Sequence, residues 1–194
     1  MSAKMEITQY YNLTFSEVHG GLIVYQDDFK GVDKDLLTKG APIMDWPSDT
    51  TLFVKGRNPT DYLFYPLSPW FTISKKAQIA LEDANIKGIQ FLPIHVVHKS
   101  GIEIPGYAIV NVLTVVAALD YVHTIWMTPD RERVTYPQLN ILEEALQKKK
   151  VEGFEIFRLV ELKTQVYISK YFKECLERKN ATVGFDFMPV SAYE

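Results

Sequence analysis

A single cysteine in 194 residues excludes an internal disulfide and any cysteine-based zinc cage. Long apolar runs are missing too. The longest, Tyr107 to Leu119, spans 13 residues and is interrupted by Asn111 and Thr114. A membrane helix needs roughly 18 to 20 apolar residues, so no membrane partner is expected. The opening MSAKMEITQYYNLTF has no signal-peptide core, which leads us to expect a cytoplasmic protein. No basic run is interleaved with aromatics and the net charge is −3, which argues against nucleic acid. The lysine cluster Lys148 to Lys150 is flanked by Glu143, Glu144 and Glu152 and reads as a solvated helix end or turn. Gly-rich phosphate loops, a GxSxG elbow and an HExxH zinc helix are also lacking, so neither cofactor nor metal is expected.

What the chain does have is a stretch that occurs twice. Residues 73–94 and 168–190 share nine identities once one residue is inserted before the second glycine. They are Ile73/Ile168, Ser74/Ser169, Lys75/Lys170, Leu81/Leu176, Glu82/Glu177, Asn85/Asn180, Gly88/Gly184, Phe91/Phe187 and Pro93/Pro189. In each copy the serine suits a helix N-cap, because its oxygen can accept from a free N–H of the first turn. Apolar residues follow at helical spacing, Ala77, Ala80, Leu81 and Ala84 in one copy and Phe172, Cys175 and Leu176 in the other. Cys175 matches Ala80 and reads as a small buried residue. The asparagine and glycine end the helix. A strand follows, with Ile89/Phe91 or Phe185/Phe187 inward and Gln90 or Asp186 outward, stopped by Pro93 or Pro189. Two copies are too few for a solenoid, so we expect one domain, 1–194, with two similar sub-units.

The remaining elements read as follows. Met5–Leu13 and Leu22–Gln26 are extended around a Gly20-Gly21 turn. Asp33 caps a helical turn through Leu36 and Leu37. Thr51–Val54 and Asp61–Tyr65 are strand-like, and Trp70–Ile73 leads into the first unit. Phe91–Val97 and Tyr107–Leu113 predict an antiparallel hairpin at the centre of a sheet. Thr114–Thr124 predicts a short helix or turn. Pro137–Lys149 fits a helix or a strand with a charged turn, and Phe154–Val160 alternates like a strand. The mixture predicts an α+β fold with a largely antiparallel sheet, two similar capped helix-then-strand units packed against it.

Chemistry is sparse. His95 and His98 on a strand point to opposite faces and would not share a metal. Glu143 and Glu144 are adjacent and diverge on either a helix or a strand. Asp120 and His123 can meet across one turn, but no nucleophile motif points there, and Asp120 suits a turn anchor. Asp27, Asp28, Asp33 and Asp35 cluster in one loop without EF-hand spacing, a solvated loop or an acidic contact surface for a basic partner.

In order and spacing, KGAPIMDWP, GIQFLPI, GYAIVNVLTVVAALD, IFRL and ISKYFKECLE…GFDFMPV resemble the immunity-protein family of bacterial polymorphic toxin systems. That family was first catalogued as a myxobacterial domain of unknown function. The resemblance covers roughly residues 36–191. The family pattern falls on Trp46-Pro47, Phe91, Pro93, Asn111-Val112, Leu119-Asp120, Phe157-Arg158 and Pro189, which read as scaffold positions. Where the family usually carries a serine, four residues after the aspartate, this chain has Thr124, which keeps the hydroxyl. The resemblance implies a non-enzymatic antidote whose partner is a cognate toxin domain, neutralised by stoichiometric occlusion. Asp27, Asp28, Asp33 and Asp35 are then the candidate contacts. The alternatives are an enzyme that reverses a toxin's modification through Asp120 and His123, and a stand-alone ligand-binding or scaffold domain.

Overall fold

The computed structural model describes residues 10–65, 70–127 and 141–194. In chain order the strands are β1 (Tyr10–Phe15), β2 (Ile23–Asp28), β3 (Thr51–Lys55) and β4 (Thr72–Ile73). Helix α1 (Lys75–Asp83) leads to β5 (Ile89–Pro93), β6 (His95–His98), β7 (Ala108–Val112), β8 (Val115–Val116) and β9 (Ile125–Trp126). Then come β10 (Ile141–Glu143), β11 (Ala145–Gln147), the single turn α2 (Lys148–Val151), β12 (Ile156–Leu159), β13 (Tyr167–Ser169), α3 (Lys170–Arg178) and β14 (Phe185–Tyr193). The fold is α+β with mostly antiparallel pairing; β3/β6, β8/β12 and β11/β14 run parallel. No helix among the described residues is long and apolar enough to cross a membrane.

The repeated stretches build two split β–α–β units. In the first, β4 and β5 flank β7, both antiparallel to it, and α1 crosses from one to the other. In the second, β13 and β14 flank β1 in the same way, and α3 makes the crossing. Registers agree residue by residue. Ile73, Ala108 and Pro93 lie in one row, and Ile168, Tyr11 and Pro189 lie in its counterpart. Further along, Phe91 faces Val110 as Phe187 faces Leu13, and Ile89 faces Val112 as Phe185 faces Phe15. The middle strands thereby equate Tyr107 with Tyr10. Each of these buried tyrosines donates its hydroxyl to a distant carbonyl, Thr60 O at 2.6 Å and Val151 O at 3.0 Å.

Local chemistry explains why both helices start and stop where they do. Ser74 Oγ accepts from Ala77 N at 3.2 Å and Ser169 Oγ from Phe172 N at 3.1 Å, each satisfying one orphan donor of the first turn. Asn85 and Asn180 adopt φ of 54° and 53°. This left-handed step lets Ile86 N reach Leu81 O at 3.0 Å and Ala181 N reach Leu176 O at 2.9 Å. Both serines also hold an upstream acid. Ser74 donates its N–H to Asp61 O at 2.9 Å and its hydroxyl to Asp61 Oδ1 at 2.7 Å; Ser169 donates to Glu155 O at 3.0 Å and to the Glu155 carboxylate.

The inner faces of both units share one core. Leu81 and Ala77 of α1 meet Phe172, Cys175 and Leu176 of α3, with Tyr11, Leu13, Val110 and Val112 from the middle strands. Each fully buried leucine or phenylalanine contributes about 2 kcal/mol. Lys179 Nζ, 2.8 Å from Asp83 Oδ2, ties the helix ends together. The outer faces have separate cores. Tyr107, Ile109 and Leu92 pack with the β2–β3–β6 sheet, while Tyr10, Tyr167 and Val190 pack with Leu146, Val151 and Phe157.

Several expectations change. The predicted hairpin splits: β5 pairs with β7, but beyond Pro93 the chain leaves that sheet and β6 joins β3. Proline offers no N–H to continue the ladder. Pro189, by contrast, does not stop its strand, and β14 runs on to Tyr193. There β1 lies along one side while β11 pairs only from Ser191, so one edge at Pro189 has no ladder bond to lose. Asp61–Tyr65 forms only isolated bridges. Thr114–Thr124 contains the strand β8 and a turn, not a helix. Residues 141–151 form two short strands and a turn; Pro137–Asn140 and Met5–Gln9 lie outside the described residues.

Candidate functional site on the second unit

The outer face of the first unit is filled by its own chain. Asn111 and Gln90 sit opposite each other, with Asn111 Nδ2 donating to Gln90 Oε1 at 3.0 Å. These two amides clip the backbone of residues 41–43. Ile43 N donates to Gln90 Oε1 at 2.9 Å, Gln90 Nε2 to Ile43 O at 2.8 Å, and Asn111 Nδ2 to Ala41 O at 2.9 Å. Gln90 is therefore covered rather than facing solvent. Trp46 closes the segment by donating Nε1–H to Pro93 O at 2.8 Å.

The same positions on the second unit are Thr14 and Asp186, again opposite each other, with Thr14 Oγ1 donating to Asp186 Oδ2 at 3.2 Å. Both residues are half-buried, and among the described residues the hydrogen bond recorded for their side chains is the one they share. A cleft of about 450 Å³ opens beside it, walled by Asn12 and Thr14 of β1, β10 with Glu144, Gln165, and Met188–Ser191 of β14. The rim carries exposed apolar side chains. Leu142 is 62% and Met188 51% exposed, with Ile125 and Met127 exposed on the neighbouring strand β9 and just beyond it.

Glu144 is the chemical centre of the cleft. Burial pushes its carboxyl above the usual glutamate range, against hydrogen bonds from Tyr167, Gln165 and Asn12. Asn12 Nδ2 reaches the two carboxylate oxygens at 3.4 and 3.2 Å. Burial and the nearby Glu144 in turn hold the Tyr167 phenol protonated well above its ordinary range. Asn12 is 9% exposed, and its Oδ1 has no hydrogen-bond partner among the described residues. Among the described residues the lining is thus rich in acceptors, with two carboxylates and no lysine, arginine or histidine. Such a wall favours a cationic, hydrogen-bond-donating guest. No three His, Cys, Asp or Glu among the described residues lie close enough to hold a metal ion.

The acidic loop is a different surface. Asp27 meets Lys34 Nζ at 2.9 Å and the Tyr65 hydroxyl, Asp28 meets Lys30, and Asp33 meets Lys39 Nζ at 3.4 Å. Asp33 also accepts from Asp35 N at 3.0 Å, capping the turn Lys34–Thr38. Asp35 lies in the first turn of that helix. Three of the four carboxylates carry their own lysine, so the loop projects less negative field than its composition implies.

Asp120 Oδ1 accepts from Val122 N at 2.9 Å and His123 N at 3.2 Å, and Oδ2 lies 2.7 Å from His123 Nδ1. Burial pushes the Asp120 carboxyl up, but the His123 and backbone hydrogen bonds outweigh it and hold it below the usual range. The His123 ring stacks on Tyr193 at 4.0 Å. Thr124 Oγ1 accepts from Ala145 N at 3.2 Å, and Asp120 N donates to Ala145 O at 2.8 Å, so this turn anchors β11.

Of the other family-pattern residues, Trp46, Pro93 and Asn111 meet on the covered face of the first unit, while Phe91 packs against the shared inner core. Pro47 accepts from Thr50 N at 3.3 Å through its carbonyl. Phe157 is buried in the second outer core. Arg158 is 1% exposed, donates to Lys163 O at 2.9 Å, and is lowered to about 10 by burial. Pro189 alone lines the cleft. Sequence reasoning missed Asn12, Thr14, Glu144 and Gln165. The only signal was the match of Asn12–Thr14 to Ile109–Asn111, which is invisible until the middle strands are known.

The model of a family described as an immunity protein family (Imm11) matches residues 18–192. No curated protein matches this chain.

Proposed function

The chain belongs to the Imm11 immunity protein family, and we propose that it neutralises one cognate secreted toxin by binding it one to one, without turnover. The observation that supports this most is the extent of the family match, 18–192, which takes in the whole first unit and all of the second except β1 and the last residue of β14. The toxin is made by the same or a neighbouring cell and acts in the cytoplasm, where this antidote meets it. Occlusion needs a rigid surface with a few well-placed anchors, not a reactive constellation. The Asp120–His123 pair fits that picture, since its carboxylate is spent on a turn and its imidazole is stacked on Tyr193.

The test is protection against the toxin domain encoded beside this chain's gene. Titration should give full protection at one antidote per toxin and a stable complex on size-exclusion chromatography. Protection at a small fraction of the toxin concentration, lost in Asp120→Asn or His123→Ala, would establish the enzymatic alternative instead.

A further inference from the structure

We propose that the cleft between β1, β10 and β14 is the toxin-binding surface, and that it takes an extended stretch of toxin chain bearing a lysine or arginine. The inference rests on the reading above and deepens it. Its first support is internal. The first unit shows what this face does when occupied: two polar side chains on adjacent strands clip the backbone of a loop segment at Ala41 and Ile43. The second unit offers the equivalent strands, the equivalent polar pair and an open cleft. An intermolecular segment there would repeat a packing the molecule already uses within itself.

The second support is the chemistry of the walls. Glu144 has lost part of its hydration to burial, and Asn12 Oδ1 is buried without a donor. Among the described residues this desolvated carboxylate meets no cation, and a guanidinium or ammonium supplies both the charge and the missing N–H. Glu143 adds a second carboxylate at the cleft, and among the described residues no basic side chain lines it to compete. The apolar rim, Leu142 and Met188, suits the aliphatic stem of such a residue.

The test measures binding of the same toxin domain to four forms of the full chain: wild type, Glu144→Gln, Leu142→Arg and Ile102→Arg. Ile102 is also exposed but lies on the loop after β6, away from the cleft lining. We expect Glu144→Gln to weaken Kd by at least about tenfold and Leu142→Arg by at least about a hundredfold, with Ile102→Arg unchanged. Thermal melts confirm that each variant folds. A photo-crosslinking residue at position 142 should capture the toxin, and one at position 102 should not. If the wild type binds and both cleft variants bind equally well without crosslinking from 142, the cleft assignment is wrong while the antidote reading stands. A wild type that forms no complex overturns both.

Discussion

The two split units are built on one plan and finished differently. The first keeps its middle strand within reach: β7 follows β5 after 14 residues, from Ile94 to Tyr107. The second borrows β1 from the opposite end of the chain. The first covers its outer face with its own backbone, whereas the second leaves an acceptor-rich cleft at the same place. They differ again where the helices end. The residue inserted before Gly184 supplies Val183, whose carbonyl accepts from Asp61 N at 2.7 Å and Tyr62 N at 3.0 Å. Val183 N donates back to Asp61 Oδ2 at 3.1 Å. Around Glu155, the counterpart of Asp61, an open pocket of about 420 Å³ separates it from residues 84–88. Shared grammar sets a scaffold; the departures from it mark where something else is held.

The comparison breaks or sharpens under substitution of matched residues. Leu81→Ala and Leu176→Ala, both in the shared core, should each cost about 2–5 kcal/mol, and the double variant should depart from additivity because α1 and α3 pack together. Denaturant titration checks this, and a cost confined to one leucine would end the idea of a joint core. Asp61→Ala should cost about 2–4 kcal/mol, since the buried carboxylate accepts from the Ser74 hydroxyl and Val183 N and pairs with the half-exposed Lys76. Glu155→Ala, at its half-buried counterpart, should cost only about 1 kcal/mol. Equal losses would mean the Val183 insertion does nothing for Asp61.

The serine caps should be nearly matched. Ser74→Ala and Ser169→Ala each remove about 1 kcal/mol, Ser74 slightly more because it also serves the buried Asp61. The smallest effect is a gain. With its pKa raised, Glu144 keeps its proton to higher pH in the folded chain than in the unfolded one, so stability falls as pH rises through that interval and stays lower above it. Glu144→Gln should therefore stabilise the free protein by less than about 1 kcal/mol at pH 7 and not at all well below the ordinary glutamate range. Paired melts at the two pH values decide it; equal shifts at both would detach the effect from ionisation.

The helices were legible because their signals are local. Ser74 and Ser169 lie three residues from the N–H they accept from, and Asn85 and Asn180 sit at the turn they make. The sheet was less legible. Tyr10 and Tyr107 are equivalent, but their neighbours differ because each middle strand faces a different outer core. Phe91–Val97 is one apolar run, yet it serves two sheets, and only the missing N–H of Pro93 marks the division. The acidic loop looked exposed in sequence because the lysines that neutralise it, Lys30, Lys34 and Lys39, act through loop geometry. The cleft had no linear signature at all. Asn12, Glu144, Gln165 and Met188 are spread over most of the chain and converge only through pairing of β1 with β13 and β14.

That convergence constrains how the protein is made. β1 is translated before the other described elements, but its neighbours follow about 150 to 170 residues later, so it waits without β13 and β14 while the first unit, whose contacts are short in sequence, can already close. A nascent chain stopped before residue 167 has neither neighbour for β1, and one stopped before residue 185 lacks the β14 wall of the cleft. Any activity that depends on that wall arises only once β14 has been made, in one late step that brings β1 together with strands far along the chain.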